Sequence, residues 1–207
     1  MEYSLDSIQD NCYENTTVLI NKLDIRDEAT LNAVEETLTA ANAASIELEN
    51  DFNNVDFEYY KSLHKRLFED LYEWSGQVRA INISKKGTNF CEHSEIEEYG
   101  RKCFDRLKQE KYLANLPFSQ FIDELTDLYC SLNALHPFRE GNGRCQRLFL
   151  TLLIKNVGYD INFASLDTDL LMIATIKAVT GDIFLLKDIL RDNIFVKNEN
   201  EDETSQE

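Results

Sequence analysis

The 207-residue sequence predicts an all-α domain, a helical bundle that carries one short β-hairpin. Three observations carry that prediction. Apolar residues recur at helical spacing along seven segments of ordinary length. The chain has two prolines and no internal linker or repeat. Strand-type alternation followed by turn residues occurs at one place, Ala80-Ile81-Asn82-Ile83-Ser84 and then Lys85-Lys86-Gly87-Thr88-Asn89-Phe90. A hydrophobic content of 43% lets a chain of this length bury a sizeable core in one domain, with room for a small helical lobe at one end.

Taken in order, residues 1–17 read as an N-terminal extension, 18–195 as the domain, and 196–207 as an acidic, polar tail with no apolar face, expected to be disordered. Within the domain the periodicity predicts helices over 31–50, 57–73, 95–109, 118–136, 144–157, 167–180 and 184–192. The helix over 118–136 carries Phe121, Leu125, Leu128, Leu132 and Leu135 on one face, and Pro137 stops it by pushing His136 out of the right-handed helical region. The helix from 144 opens on Leu148, Phe149, Leu150, Leu152, Leu153 and Ile154, a nearly continuous apolar run of the kind found in buried central helices.

The corner between these two helices is the most informative stretch of the chain: His136-Pro137-Phe138-Arg139-Glu140-Gly141-Asn142-Gly143-Arg144-Cys145-Gln146-Arg147. Gly141 and Gly143 flank Asn142, a residue that tolerates left-handed angles, so the turn can aim successive N–H groups into one concavity that binds anions. Arg144 and Arg147 are three apart, on neighbouring positions of a helix face in the first turn, where they converge on one ligand. A positive side chain at a helix N-terminus is disfavoured by about 0.3–1 kcal/mol, which an anion would offset. Glu140 beside phosphates calls for a cation between them, and Mg²⁺ shared by carboxylate and phosphates supplies it. Singly, each of these residues fits a structural corner. A structural corner has no need of a histidine, a glutamate and two arginines around a glycine nest, and the set points to a Mg-nucleotide site.

Residues 136–147 resemble the signature of the Fic-domain family, His-x-Phe-x-(Asp/Glu)-Gly-Asn-Gly-Arg-x-x-Arg, with every fixed position present. Residues 60–79, ending Tyr72-Glu73-Trp74-Ser75-Gly76-Gln77-Val78-Arg79, are similar to the family's helix that ends Tyr-x-Trp-Ala-Gly-x-x-Arg, and 82–90 to its substrate-positioning flap. The resemblance covers 18–190 in outline and implies a Fic-type helical bundle. It implies that His136 is the general base, Phe138 a buried anchor and Glu140 the Mg²⁺ ligand. Gly141, Asn142 and Gly143 would form the anion hole, Arg144 and Arg147 would engage the outer phosphates, and Lys85, Lys86, Gly87 and Thr88 would line up the target. The implied activity is protein adenylyl transfer: a hydroxyl of a target protein attacks the α-phosphorus of ATP, pyrophosphate leaves, and AMP stays on a Ser, Thr or Tyr. An unperturbed imidazole, titrating near pH 6.5, suits the base.

Two other classes stay open. Doc-type relatives bind the nucleotide reversed and transfer the γ-phosphate, but they depart from the glycine pattern that is intact here. A silent nucleotide-binding interaction module would be expected to have lost His136, Glu140 or an arginine. Ser45-Ile46-Glu47-Leu48-Glu49-Asn50 resembles the family's inhibitory motif (Ser/Thr)-x-x-x-Glu-(Gly/Asn). Inhibition then comes either in cis, from Glu49 or a neighbour on its helix, or in trans, from a small antitoxin-like protein. The second is expected, because Arg79 follows Glu49 by only thirty residues. Self-modification is a further partner reaction to expect.

A net charge of −17 argues against direct contact with nucleic acid or an anionic membrane, both of which need dense Lys and Arg. Cys12, Cys91, Cys103, Cys130 and Cys145 are odd in number and lack metal-ligand spacing, and the N-terminus has neither a charged nor an apolar leader segment, so a reducing cytoplasm is expected. Cys145 reads as core filler; His64 and His93 read as core or surface residues.

Overall fold

Side-chain caps set where the first helices begin. In the computed structural model, which describes residues 11–85 and 88–196, Asp27 accepts the Thr30 amide at 2.8 Å and starts α1 (Glu28–Glu49) three residues ahead of the predicted helix. Asp56 does the same for Tyr59 at 2.8 Å and starts α2 (Phe57–Phe68). α2 stops five residues short of the predicted end. Leu71 and Tyr72 both donate to the Phe68 carbonyl, at 3.0 and 2.9 Å, and Gly76, at φ 76°, folds back over the helix. A Cβ at Gly76 would lie 2.8 Å from that of Lys65. Leu71 and Tyr72 are nevertheless buried, so the apolar periodicity runs past the helix that it appeared to mark.

The remaining helices follow the prediction: α3 (Ile96–Gln109), α4 (Phe118–Leu135), α5 (Asn142–Asn156), α6 (Thr168–Val179) and α7 (Phe184–Asn193). The hairpin forms from β1 (Ser84–Lys85) and β2 (Thr88–Asn89), antiparallel with Ser84 opposite Asn89. A second pair was not predicted: β3 (Tyr159–Ile161) runs antiparallel to β4 (Ile194–Val196), with Asp160 opposite Phe195. Three-residue strands are too short to show alternation.

α5 is buried all round, from Cys145 and Leu148 through Ile154, as its apolar run predicts. Phe149 meets Tyr60 of α2 edge-on at 5.5 Å and Phe104 of α3 at 5.3 Å, which fixes the bundle around it. α1 is attached differently. It fully buries only Leu31, Glu35, Thr39 and Ile46, packs the half-buried Val34, Leu38 and Ala43 against the core, and adds polar contacts: Asn42 to Asp70 at 2.9 Å, Glu47 to Lys155 at 2.8 Å and Glu49 to Arg66 at 2.7 Å. Among the described residues no helix is long and apolar enough to cross a membrane. Lys86, Gly87, residues 1–10 of the extension and the tail from 197 lie outside the described residues.

Candidate active site

The corner that the sequence singled out is rigidly built. α4 ends at His136, whose left-handed backbone (φ 40°, ψ 60°) keeps its N–H on Leu132 at 3.1 Å while Pro137 turns the chain away. Five residues later Gly141, at φ 77°, opens α5. A side chain there would put its Cβ 2.3 Å from the Phe68 ring, so both the angle and the space demand glycine. Asn142 departs from the expectation: it is helical, and it serves the turn through its side chain. Its Oδ1 accepts the Phe138 amide and its Nδ2 donates to the Phe138 carbonyl, both at 2.8 Å, inside the protein.

Phe138 is fully buried, as the anchor reading implied, and stacks on the His64 ring at 3.8 Å. His64 holds the corner from below. Its Nδ1 accepts the Gly76 amide at 2.9 Å, so its Nε2 carries the proton and donates to the Glu140 carbonyl at 2.9 Å. Burial brings its pKa down to about 4, which keeps the ring neutral at physiological pH.

No side chain caps α5. The first-turn amides of Asn142, Gly143 and Arg144 have no intrahelical acceptor, and with the helix dipole they form an anion seat. The Gly141 amide is engaged by the Glu140 carboxylate at 3.1 Å, which places that carboxylate at the edge of the seat. Arg147 lies in the second turn of α5 rather than the first. Its guanidinium folds back so far that a Cβ on Gly143 would sit 3.2 Å from Nη1. Burial lowers its pKa, with Arg144 adding to the effect, and no ion pair to Arg147 forms among the described residues. A desolvated cation beside uncapped amides is a strong seat for phosphate oxygens.

Arg144 has different neighbours, contrary to the expectation that the two arginines converge. Its Nη2 pairs with Glu35 of α1, its Nη1 lies 3.5 Å from the Thr39 hydroxyl, and its guanidinium sits 4.8 Å from the Phe68 ring centre. The Tyr72 hydroxyl donates to the same Glu35 carboxylate, and burial with that carboxylate pushes the phenol well above its usual range. Glu49, the candidate inhibitory residue, lies at the far end of α1 on Arg66, and Ser45 is exposed.

The flap reaches the corner through Phe90, whose ring lies on the His136 imidazole at 3.7 Å and 11°. Thr88 and Asn89 of β2 also line a cavity of about 310 Å³, with Tyr129, Asn133 and Ala134 from α4 and Thr175 and Val179 from α6. It opens beside the last turn before His136. Lys85 stands in β1. His93 is exposed, with its amide on Asn82, and Cys145 is buried with its thiol on the Tyr60 carbonyl at 3.7 Å and its pKa pushed far up by burial, as core filler should be.

Sequence reasoning missed four residues of this architecture: Glu35, His64, Tyr72 and Arg79. The last three stand inside the block compared with the family helix. Glu35 had a weaker signal, an acid midway between Leu31 and Thr39 on one i, i+4 row.

A sequence model described as the Fic/DOC family matches residues 54–154. Among curated proteins the chain is 31% identical to the probable protein adenylyltransferase Fic of Escherichia coli, over 84% of this chain and 86% of that protein. It is 32% identical to protein adenylyltransferase VbhT of Bartonella schoenbuchensis, over 86% of this chain but only 37% of that longer protein. Among solved structures, the BepC protein of Bartonella tribocorum with bound AMPPNP superposes with a TM-score of 0.87 at 26% identity, over 92% of this chain and 98% of that one. An N-terminal Fic domain from Bartonella quintana with bound ADP gives 0.87 at 27%, over 91% and 95%.

Proposed function

This chain belongs to the Fic/DOC family, and from that premise we propose that it is a protein adenylyltransferase, moving AMP from ATP to a Ser, Thr or Tyr hydroxyl of a target protein. The observation that carries the proposal is the uncapped N-terminus of α5 with Arg147 folded over Gly143, one short loop away from His136. Amides of residues 142–144 and Arg147 hold the phosphates. The His136 imidazole takes the proton of the target hydroxyl as its oxygen attacks the α-phosphorus. The bond to the β-phosphate breaks, and pyrophosphate leaves with the electron pair. The flap, including Lys85, Lys86, Gly87 and Thr88, aligns the target segment, and the cavity between β2, α4 and α6 takes the nucleoside. Most of the rate comes from positioning and charge stabilisation.

Glu140 fits a Mg²⁺ ion. Its carboxylate lies on the Gly141 amide at the mouth of α5, and Mg²⁺ is a cation that is content with one or two carboxylates plus phosphates and water. When bound, it neutralises charge on the nucleotide's phosphates. The intact Gly141-Asn142-Gly143 sequence favours AMP transfer over the Doc-like kinase reaction, and the presence of His136, Glu140, Arg144 and Arg147 speaks against a silent module. The chain acts in the cytoplasm, is restrained by a separate small protein or by its own α1, and modifies itself when uninhibited.

Parallel incubations with α-³²P-ATP and γ-³²P-ATP test the proposal. Label on protein from the α-position alone supports it; label from the γ-position alone replaces it with the kinase reaction. His136→Ala should abolish transfer while calorimetry still finds nucleotide binding, and unchanged transfer would remove His136 from the mechanism.

A further inference from the structure

Arg79 ends the turn that follows α2, and its side chain is buried, with 4% exposure. Its guanidinium is surrounded by backbone carbonyls from three separate places. Nε donates to His136 at 2.9 Å, Nη1 to Ile81 at 2.6 Å, and Nη2 to Cys91. Its own amide donates to Pro137 at 2.9 Å. Ile81 enters the flap and Cys91 leaves it. One side chain therefore ties both feet of the flap to the backbone of the base.

This is an expensive way to fill space. Arg79 forms no salt bridge among the described residues, and a buried charge without a carboxylate is costlier than an apolar side chain of the same volume. What arginine supplies that an apolar residue cannot is a planar fork with donors at fixed angles to several acceptors. Two neighbouring contacts act in the same sense. The Cys91 amide donates to Ala134 in the last turn of α4 at 2.9 Å, and Phe90, one residue earlier, carries its ring onto the imidazole of His136.

We propose that Arg79 is a positioning residue for the transfer reaction: it fixes the register between the flap and His136, so that a hydroxyl presented along the flap arrives in line with the imidazole. The proposal rests on the adenylyltransferase reading above. It assigns Arg79 no part in holding the nucleotide, because the anion seat is formed by the first turn of α5 and Arg147. A misplacement of roughly 1 Å in such an arrangement costs about 100-fold in rate.

Arg79→Gln, which breaks the fork, should lower kcat of self-modification about 100-fold, and Arg79→Lys, which keeps the charge but gathers its donors at one point, about tenfold. ATP affinity by calorimetry should stay within twofold for both. Amide hydrogen exchange, run without nucleotide, should accelerate at least tenfold at Phe90 and Cys91 and stay unchanged along α5. A loss of ATP affinity in parallel with kcat, with faster exchange along α5, would reduce Arg79 to scaffold and overturn the proposal; so would unchanged kcat and exchange. Should neither variant fold, Phe90→Leu leaves the guanidinium in place and tests the same register: kcat should fall with ATP affinity intact, and unaltered kcat would overturn the idea. The exchange measurement separates the two proposals, since it reports flap attachment even if the wild-type chain transfers no AMP.

Discussion

Replacing Asn142 by alanine removes two hydrogen bonds at once and leaves their partners behind. The Phe138 amide and carbonyl, each 2.8 Å from the Asn142 side chain, belong to a residue with no exposed surface, so water cannot replace the lost carboxamide. An orphaned buried donor or acceptor costs about 1–3 kcal/mol, and two of them on one residue give roughly 2–4 kcal/mol once some relaxation is allowed. For a chain of this size about 1 kcal/mol moves Tm by about 2–4 °C, so Asn142→Ala should melt roughly 5–15 °C below the wild type. Asn142→Asp separates the clamp from the charge. Its carboxylate can still accept the Phe138 amide and gains from the positive helix end, but it faces the Phe138 carbonyl and stands in the anion seat. It should melt above the alanine variant yet bind ATP at least about tenfold more weakly, a loss of about 1.4 kcal/mol. Thermal unfolding by circular dichroism and calorimetry with Mg-ATP read both effects. An Asn142→Ala protein melting within about 2 °C of the wild type would refute the claim that this side chain holds the corner.

His64 predicts an acid-side loss of stability with a defined window. The folded protein keeps the ring neutral down to about 4, while the unfolded chain takes up its proton near pH 6.5. The unfolded state therefore binds more protons between those values, and stability falls as pH drops through the window, by about 3 kcal/mol in all. Urea midpoints against pH should show that slope in the wild type in excess of His64→Gln; parallel curves would sink the assignment. On α1, the exposed pair between Glu49 and Arg66 should contribute little, so Glu49→Gly should leave self-modification within twofold. Glu35→Gln should instead free the Arg144 guanidinium for the outer phosphates and tighten ATP binding about tenfold, equivalent to about 1.4 kcal/mol by calorimetry. Unchanged or weaker binding would show that Glu35 does not compete with the nucleotide.

What could be read from the sequence was what is contiguous. The helix end at His136 follows from Pro137, because backbone sterics decide it within a few residues, whereas α5 opens at Asn142, two residues ahead of the expected Arg144. The same reasoning misjudged Asn142. Local preference says which angles a residue tolerates, but the clamp on Phe138 depends on a buried partner four residues back. The partner of Arg144 was out of reach altogether, since Glu35 is 109 residues away in sequence and the docking of α1 alone brings them together. The short reach of α2 and the β3–β4 pair were hidden for one reason: burial by tertiary packing, rather than a local pattern, decides what Leu71, Tyr72 and Ile161 do.

The anion seat at the start of α5 is made largely of main chain, and that has a genetic consequence. Among the amino acids proline alone lacks the peptide N–H, so most other point substitutions around residues 142–144 will dilute the site without erasing it. Loss-of-function alleles should accumulate instead at His136 and at Gly141, where any side chain meets the Phe68 ring. A main-chain seat also reads only phosphate. If the neighbouring cavity takes the nucleoside, as proposed above, selectivity among nucleotides falls to side chains of its lining such as Asn133, Thr175 and Val179, which lie outside the anion seat.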